Sequence, residues 1–137
     1  MSRSITAEVE QTGPSRSAGM VRDHRVVIDR PVSKGGADEG PMGGELMLLG
    51  LGGCFLSNLL AAIRTREAEI SDVRVRVEGT LGGTPERFTR FGLHVSAAAG
   101  DEDLLAKLVT IAERGCLVAN TLSTCVPLEV AVEQRRG

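Results

Sequence analysis

LMLLGLGGCFLSNLLAAI, residues 46–63, is an uncharged run of 18 residues in the middle of the chain. Its length approaches the roughly 20 residues of a membrane span. Gly50, Gly52, Gly53, Ser57 and Asn58 interrupt it, it occurs once, and amphipathic segments flank it, so it reads as a buried core helix over residues 44 to about 67. At its centre stands Cys54, open to two readings. It is a small core hydrophobe, or it is a nucleophile around which the helix is arranged. At about 100° per residue its face comprises Met47, Gly50, Leu51, Ser57, Asn58 and Ala61, apolar on one side with two hydrogen-bonding side chains one turn onward. Gly50 and Gly53 each weaken a helix by about 1 kcal/mol relative to Ala, which predicts close approach by another backbone or a substrate there.

N-terminal to this run, VSKGGADEGPMGG at 32–44 is Gly-rich and polar, a loop that delivers the chain to the helix, with Glu45 suited to the helix dipole. Before it, ITAEVEQ and the stretch around RVVID are separated by Gly13-Pro14-Ser15 and predict an antiparallel strand pair. C-terminal to it, SDVRVRVEGTL alternates with Val73, Val75 and Val77 on one face. RFTRFGLHVSA alternates with Thr89, Phe91, Leu93 and Val95, so the two form a hairpin. Asp101-Glu102-Asp103 caps a second helix whose apolar positions are Leu104, Leu105, Leu108, Val109, Ile111 and Ala112, and VPLEVAVEQ closes as a strand with Leu128, Val130 and Val132 inward. The resulting order, β-β-α-β-β-α-β, is an α+β domain with helices on antiparallel strands. RTRE at 64–67 and the terminal EQRRG read as solvated ends, and no internal repeat occurs.

At 137 residues one domain, 1–137, is expected. With 16 basic and 18 acidic residues, no Tyr or Trp and three Phe, neither a nucleic-acid surface nor a polybasic membrane patch is indicated. MSRSITAEVEQ contains no secretory pattern, so a cytoplasmic location is expected. Cys54, Cys116 and Cys125 do not suggest a secreted disulfide framework. There is no CxxC and neither His24 nor His94 is spaced with a cysteine, so no metal and no cofactor are expected. Cys116 follows Val109 and Leu105 at helical spacing and is expected on the second helix's buried face. A thiolate with a second thiol nearby is the arrangement that reduces a peroxide, and a thiolate in apolar surroundings also needs a cation from elsewhere.

GGADEGPMGGELMLLGLGGC at 35–54 and AERGCLVANTL at 112–122 resemble the two signature blocks of the OsmC/Ohr family of organic hydroperoxide reductases, and HRVVIDRPVSKGGADEGP resembles the strand and loop before the family's central helix. The resemblance implies an α+β fold completed as an intertwined homodimer. It further implies Cys54 as peroxidatic thiol, Cys116 as resolving thiol, an organic hydroperoxide substrate and a dithiol or lipoyl-type reductant. An arginine near the N-terminus and a glutamate at the start of the central helix would organise the thiolate. Arg16 stands first for the arginine and Arg22 second; Cys125 has no family role and reads as a spectator. The family's best-characterised peroxidases carry the glutamate where Gly44 stands here. Glu45 is one position nearer the cysteine, about half a helical turn out of phase with it, which resembles the broader OsmC-like branch. The other functional reading is a non-catalytic stress or ligand-binding protein with an apolar pocket at the dimer interface.

Overall fold

The computed structural model describes residues 2–133, which form two compact units divided between Met47 and Leu48. In the first unit the expected strand pair is a three-stranded antiparallel sheet, β1 (Glu8–Gln11), β2 (Ser17–Val21) and β3 (His24–Ile28), in that order. The additional strand, SAGMV, is short, with three small residues and only Val21 of strong strand preference. Its turn to β3 is Arg22-Asp23 with Arg22 at φ +54, a left-handed position that usually advertises itself with Gly or Asn. Beyond β3 the chain makes a 3-10 turn over Val32–Lys34 and reaches α1 (Gly43–Thr65), which continues into the second unit.

The second unit carries a sheet of β4 (Ile70–Gly82), β5 (Arg87–Ala99) and β6 (Leu128–Val132), together with α2 (Glu102–Gly115) and α3 (Leu117–Leu122). β4 and β5 form the expected hairpin, with Val75 opposite Val95 and Val77 opposite Leu93. A register shift next to Thr89 changes which side chains face the core. Phe88 turns onto the core and packs on Phe91, ring centroids 5.1 Å apart, where Thr89 had been expected; the Thr89 hydroxyl donates instead to the Thr80 carbonyl. Gly79 makes this possible, because a Cβ there would lie 2.6 Å from the Phe88 ring. β6 pairs with β5 in parallel, not antiparallel as expected, since the α2–α3 crossover returns the chain in the same direction. Leu128 and Val130 pack on the core, whereas Val132 at the strand end is exposed.

Leu51, Phe55 and Leu59 of α1 meet Phe91, Leu93 and Val95 of the sheet and Leu105, Leu108 and Val109 of α2 in one core. α1 is long and apolar enough to cross a membrane, yet this face is packed into protein. The helix is buried on that side alone. Leu49, Gly50, Gly53, Ser57 and Leu60 form an exposed opposite face. The close approach expected at Gly50 and Gly53 occurs instead at Gly52, where a Cβ would lie 2.6 Å from a Val77 methyl, while the other two glycines face open space. RTRE at 64–67 is exposed as expected, and of the terminal EQRRG only Glu133 belongs to the described residues.

Candidate functional site

α2 is capped by Asp101, whose carboxylate accepts from the Leu104 N–H at 2.9 Å, and it stops at Gly115, one residue short of Cys116. Cys116, expected within that helix, stands in the break instead, with extended backbone (φ −78, ψ 112), ending α2 and beginning α3. Its N–H donates to the Glu113 carbonyl at 3.2 Å, and its sulfur accepts from the Ala119 N–H at 3.5 Å. The Cys116 side chain is fully buried, and Cys54 is half-buried.

The break brings the two sulfurs together. Burial pushes the Cys54 thiol up, but the Val118 N–H, the Cys116 thiol and the Leu117 N–H all donate to it and leave it below the ordinary thiol range. Burial likewise pushes Cys116 up. The Ala119 and Val118 N–H groups oppose this, the Cys54 sulfur adds to it, and Cys116 stays above the ordinary range. Cys54 is thus the more acidic and the more reachable of the two thiols, and Cys116 the less acidic and enclosed. On α1, Cys54 lies between the buried face of Leu51 and Phe55 and the exposed face of Gly50 and Gly53, so its sulfur adjoins both core and surface.

The backbone donors of Leu117 and Val118 were not expected from the sequence, which offered only Gly115 as a helix-stop signal. Ser57, expected near the thiol, is exposed, and the Asn58 amide donates to the Ala112 carbonyl at 3.4 Å. Cys125 is exposed and its thiol donates to the Leu122 carbonyl.

In the first unit Arg16 is held by Glu39 in an ion pair, and it donates to the Thr12 hydroxyl at 3.2 Å and the Thr12 carbonyl at 3.0 Å. Arg22 occupies the turn between β2 and β3. Glu45 is the third residue of α1, and its carboxylate reaches back to accept from the Met42 N–H at 2.8 Å, half of a capping box. A residue not singled out in the sequence, Asp29, organises the loop before α1. Its carboxylate accepts from the Ser15 hydroxyl (2.8 Å) and from the N–H groups of Arg30 (2.8 Å), Ala37 and Glu39 (3.2 Å each). These bonds, Ser15 foremost, hold it below the usual carboxylate range against its burial.

His94 lies on the sheet's outward side, with Nδ1 3.0 Å from Glu133 and Nε2 3.7 Å from Glu78, both of which also pair with Arg76. Among the described residues no group of three or more His, Cys, Asp or Glu side chains is arranged to hold a metal.

The family model for OsmC-like protein matches residues 35–131, the span that contains both sulfurs. The chain belongs to the OsmC-like family. Solved structures of similar fold include an OsmC-like protein from Mycoplasma pneumoniae, 17% identical with a TM-score of 0.83, covering 99% of this chain and 100% of that one. An organic hydroperoxide resistance protein OsmC from Legionella pneumophila is 20% identical with a TM-score of 0.74, covering 96% and 97%. The organic hydroperoxide resistance protein OhrB of Bacillus subtilis is 19% identical with a TM-score of 0.69, covering 93% and 98%. No curated protein sequence matches this OsmC-like chain. The likeness to these structures concerns the α+β fold.

Proposed function

We propose that this OsmC-like chain is a cytoplasmic, homodimeric thiol peroxidase of one domain that reduces organic hydroperoxides in oxidative stress defence. The observation that carries the reading is the paired sulfurs, with a half-buried Cys54 below the ordinary thiol range against a fully buried Cys116 above it. The Cys54 thiolate attacks the terminal oxygen of the hydroperoxide and the O–O bond breaks. Cys54 becomes a sulfenic acid, and the alkoxide leaves and takes up a proton as the alcohol. The Cys116 thiol then attacks the sulfenic sulfur, giving a disulfide and releasing water. A dithiol of the lipoyl type returns both cysteines to thiols and becomes a disulfide itself.

Leu117 and Val118 N–H groups stabilise the thiolate without a charged side chain. The resemblance adds Arg16 as the cation and Glu45 as its carboxylate, and the engagement of Arg16 by Glu39 and of Glu45 by the helix cap supports a lesser part for both. Arg16→Ala is expected to slow turnover at neutral pH and recover it in part at alkaline pH, and Glu45→Ala to leave turnover nearly unchanged. Both are read from hydroperoxide consumption against pH.

The test of the function is consumption of an alkyl hydroperoxide with excess dithiol by the wild type and by Cys54→Ser. Loss of turnover in the variant is expected, and peptide mapping after one equivalent of peroxide should recover a Cys54–Cys116 disulfide. Equal rates would leave the ligand-binding reading in its place.

A further inference from the structure

A helix end leaves its last four carbonyls without partners inside the helix. At the end of α2 the Glu113 carbonyl accepts from the Cys116 N–H, and the Arg114 carbonyl accepts from the Asn120 side-chain amide at 3.1 Å. Both of these bonds lie within the break itself. The Ala112 carbonyl is different, because its partner is the side chain of Asn58, which reaches across from α1. The same Nδ2 lies 3.5 Å from the place a Cβ on Gly115 would occupy, so Asn58 sits directly against the residue that precedes Cys116. Asn58 is also one turn beyond Cys54, on the same side of α1. A single amide therefore ties the helix that bears one sulfur to the break that bears the other.

We propose that Asn58 is a positioning residue for the Cys54 thiol: by clamping the Ala112 carbonyl it holds the α2–α3 break, and Cys116 with it, at a fixed place against α1. The role rests on the reading of Cys54 as the reacting thiol. Without the clamp the Leu117 and Val118 N–H groups move away from the sulfur, and the thiolate loses donors that no other residue of α1 replaces. Hydrogen bonding of this kind requires a donor, so the isosteric Asn58→Asp fails as Asn58→Ala does and adds a negative charge beside the thiolate.

The experiment is the rate of iodoacetamide alkylation of Cys54 between pH 6 and pH 10, resolved by peptide mass, in the full-length wild type, Asn58→Ala, Asn58→Asp and the neighbouring Ser57→Ala. The expected result is alkylation about threefold slower at pH 7 in Asn58→Ala and slower still in Asn58→Asp, converging on the wild-type rate at pH 10, with Ser57→Ala unchanged. Profiles that overlay the wild type, or rates lowered by one factor at every pH, overturn the proposal even if the variants melt at a lower temperature. If Asn58→Ala does not fold, the uncharged Asn58→Leu, which keeps the volume but has no donor, decides by the same profile. The readout uses no peroxide. A wild type inert to hydroperoxide therefore overturns the peroxidase reading, while the alkylation profiles still decide the role of Asn58.

Discussion

Cys54 and Cys116 carry the same side chain, and the structure shifts their acidities in opposite directions, which has consequences that can be measured separately. Iodoacetamide at pH 7 should modify Cys54 faster than an unstructured thiol and Cys116 more slowly, with exposed Cys125 as an internal reference. The raised pKa of Cys116 also acts on stability. It contributes a term that is fully present below the unfolded thiol's pKa of about 8.5 and is lost as pH rises through the folded value. The gap in melting temperature between wild type and Cys116→Ala should therefore narrow from about pH 8.5 upward. Asp29 works in the other direction. Its lowered pKa contributes stability that is present above about pH 3.9 and is lost as pH falls through the folded value. Protection of the Ala37 and Glu39 amides from hydrogen exchange, relative to the intrinsic rate at each pH, should fall below that range, and should already be low at pH 7 in Asp29→Asn, because an amide in place of the carboxylate weakens its acceptance from these N–H groups.

The packing of α1 on β4 can be tested at Gly52. A methyl group there would meet a Val77 methyl 2.6 Å away, and β-branched Val77 has little rotamer freedom with which to withdraw. Gly52→Ala is expected to destabilise by about 1–3 kcal/mol, and Val77→Ala in the same chain should return part of that, read from denaturant midpoints at constant m. The elements legible in the sequence were those with strong periodicity: α1, α2 with its Asp101 cap, and the β4–β5 hairpin. β2 was illegible because Ala18 and Gly19 carry little strand preference and Arg22 stands where a turn glycine would have marked the hairpin. The exchange of Thr89 for Phe88 on the core face follows from a bulge, and a strict two-residue period cannot register one extra residue. The break at Cys116 was missed because LVANTL continues the helical pattern of α2 and only Gly115 marks the stop. The two sulfurs were legible as a pair, whereas the backbone donors were not, since any residue type can supply an N–H group.

For the molecule as a whole, the exposed face of α1 is the feature on which the proposed homodimer can be tested. Leu49 is 63% exposed and Leu60 43% exposed, on a helix whose opposite face is core. Helices apolar all round are found buried on all sides. Sedimentation at micromolar concentration is expected to give a dimer, and Leu49→Glu with Leu60→Glu to shift it toward monomer; a wild type that sediments as a monomer would remove the homodimer from the proposed function. The parallel return of β6 bears on how the second unit is made. The β4–β5 hairpin can zip from its own turn, but β6 can dock only after the whole α2–α3 crossover has closed, a loop that must be ordered before any of its strand contacts reward it. On a ribosome that delivers residues in order, β5 waits with one side bare from Phe91 to Val95, an apolar edge available to any neighbouring strand until Leu128–Val132 emerges. That exposure to aggregation lasts from the emergence of β5 until β6 pairs with it.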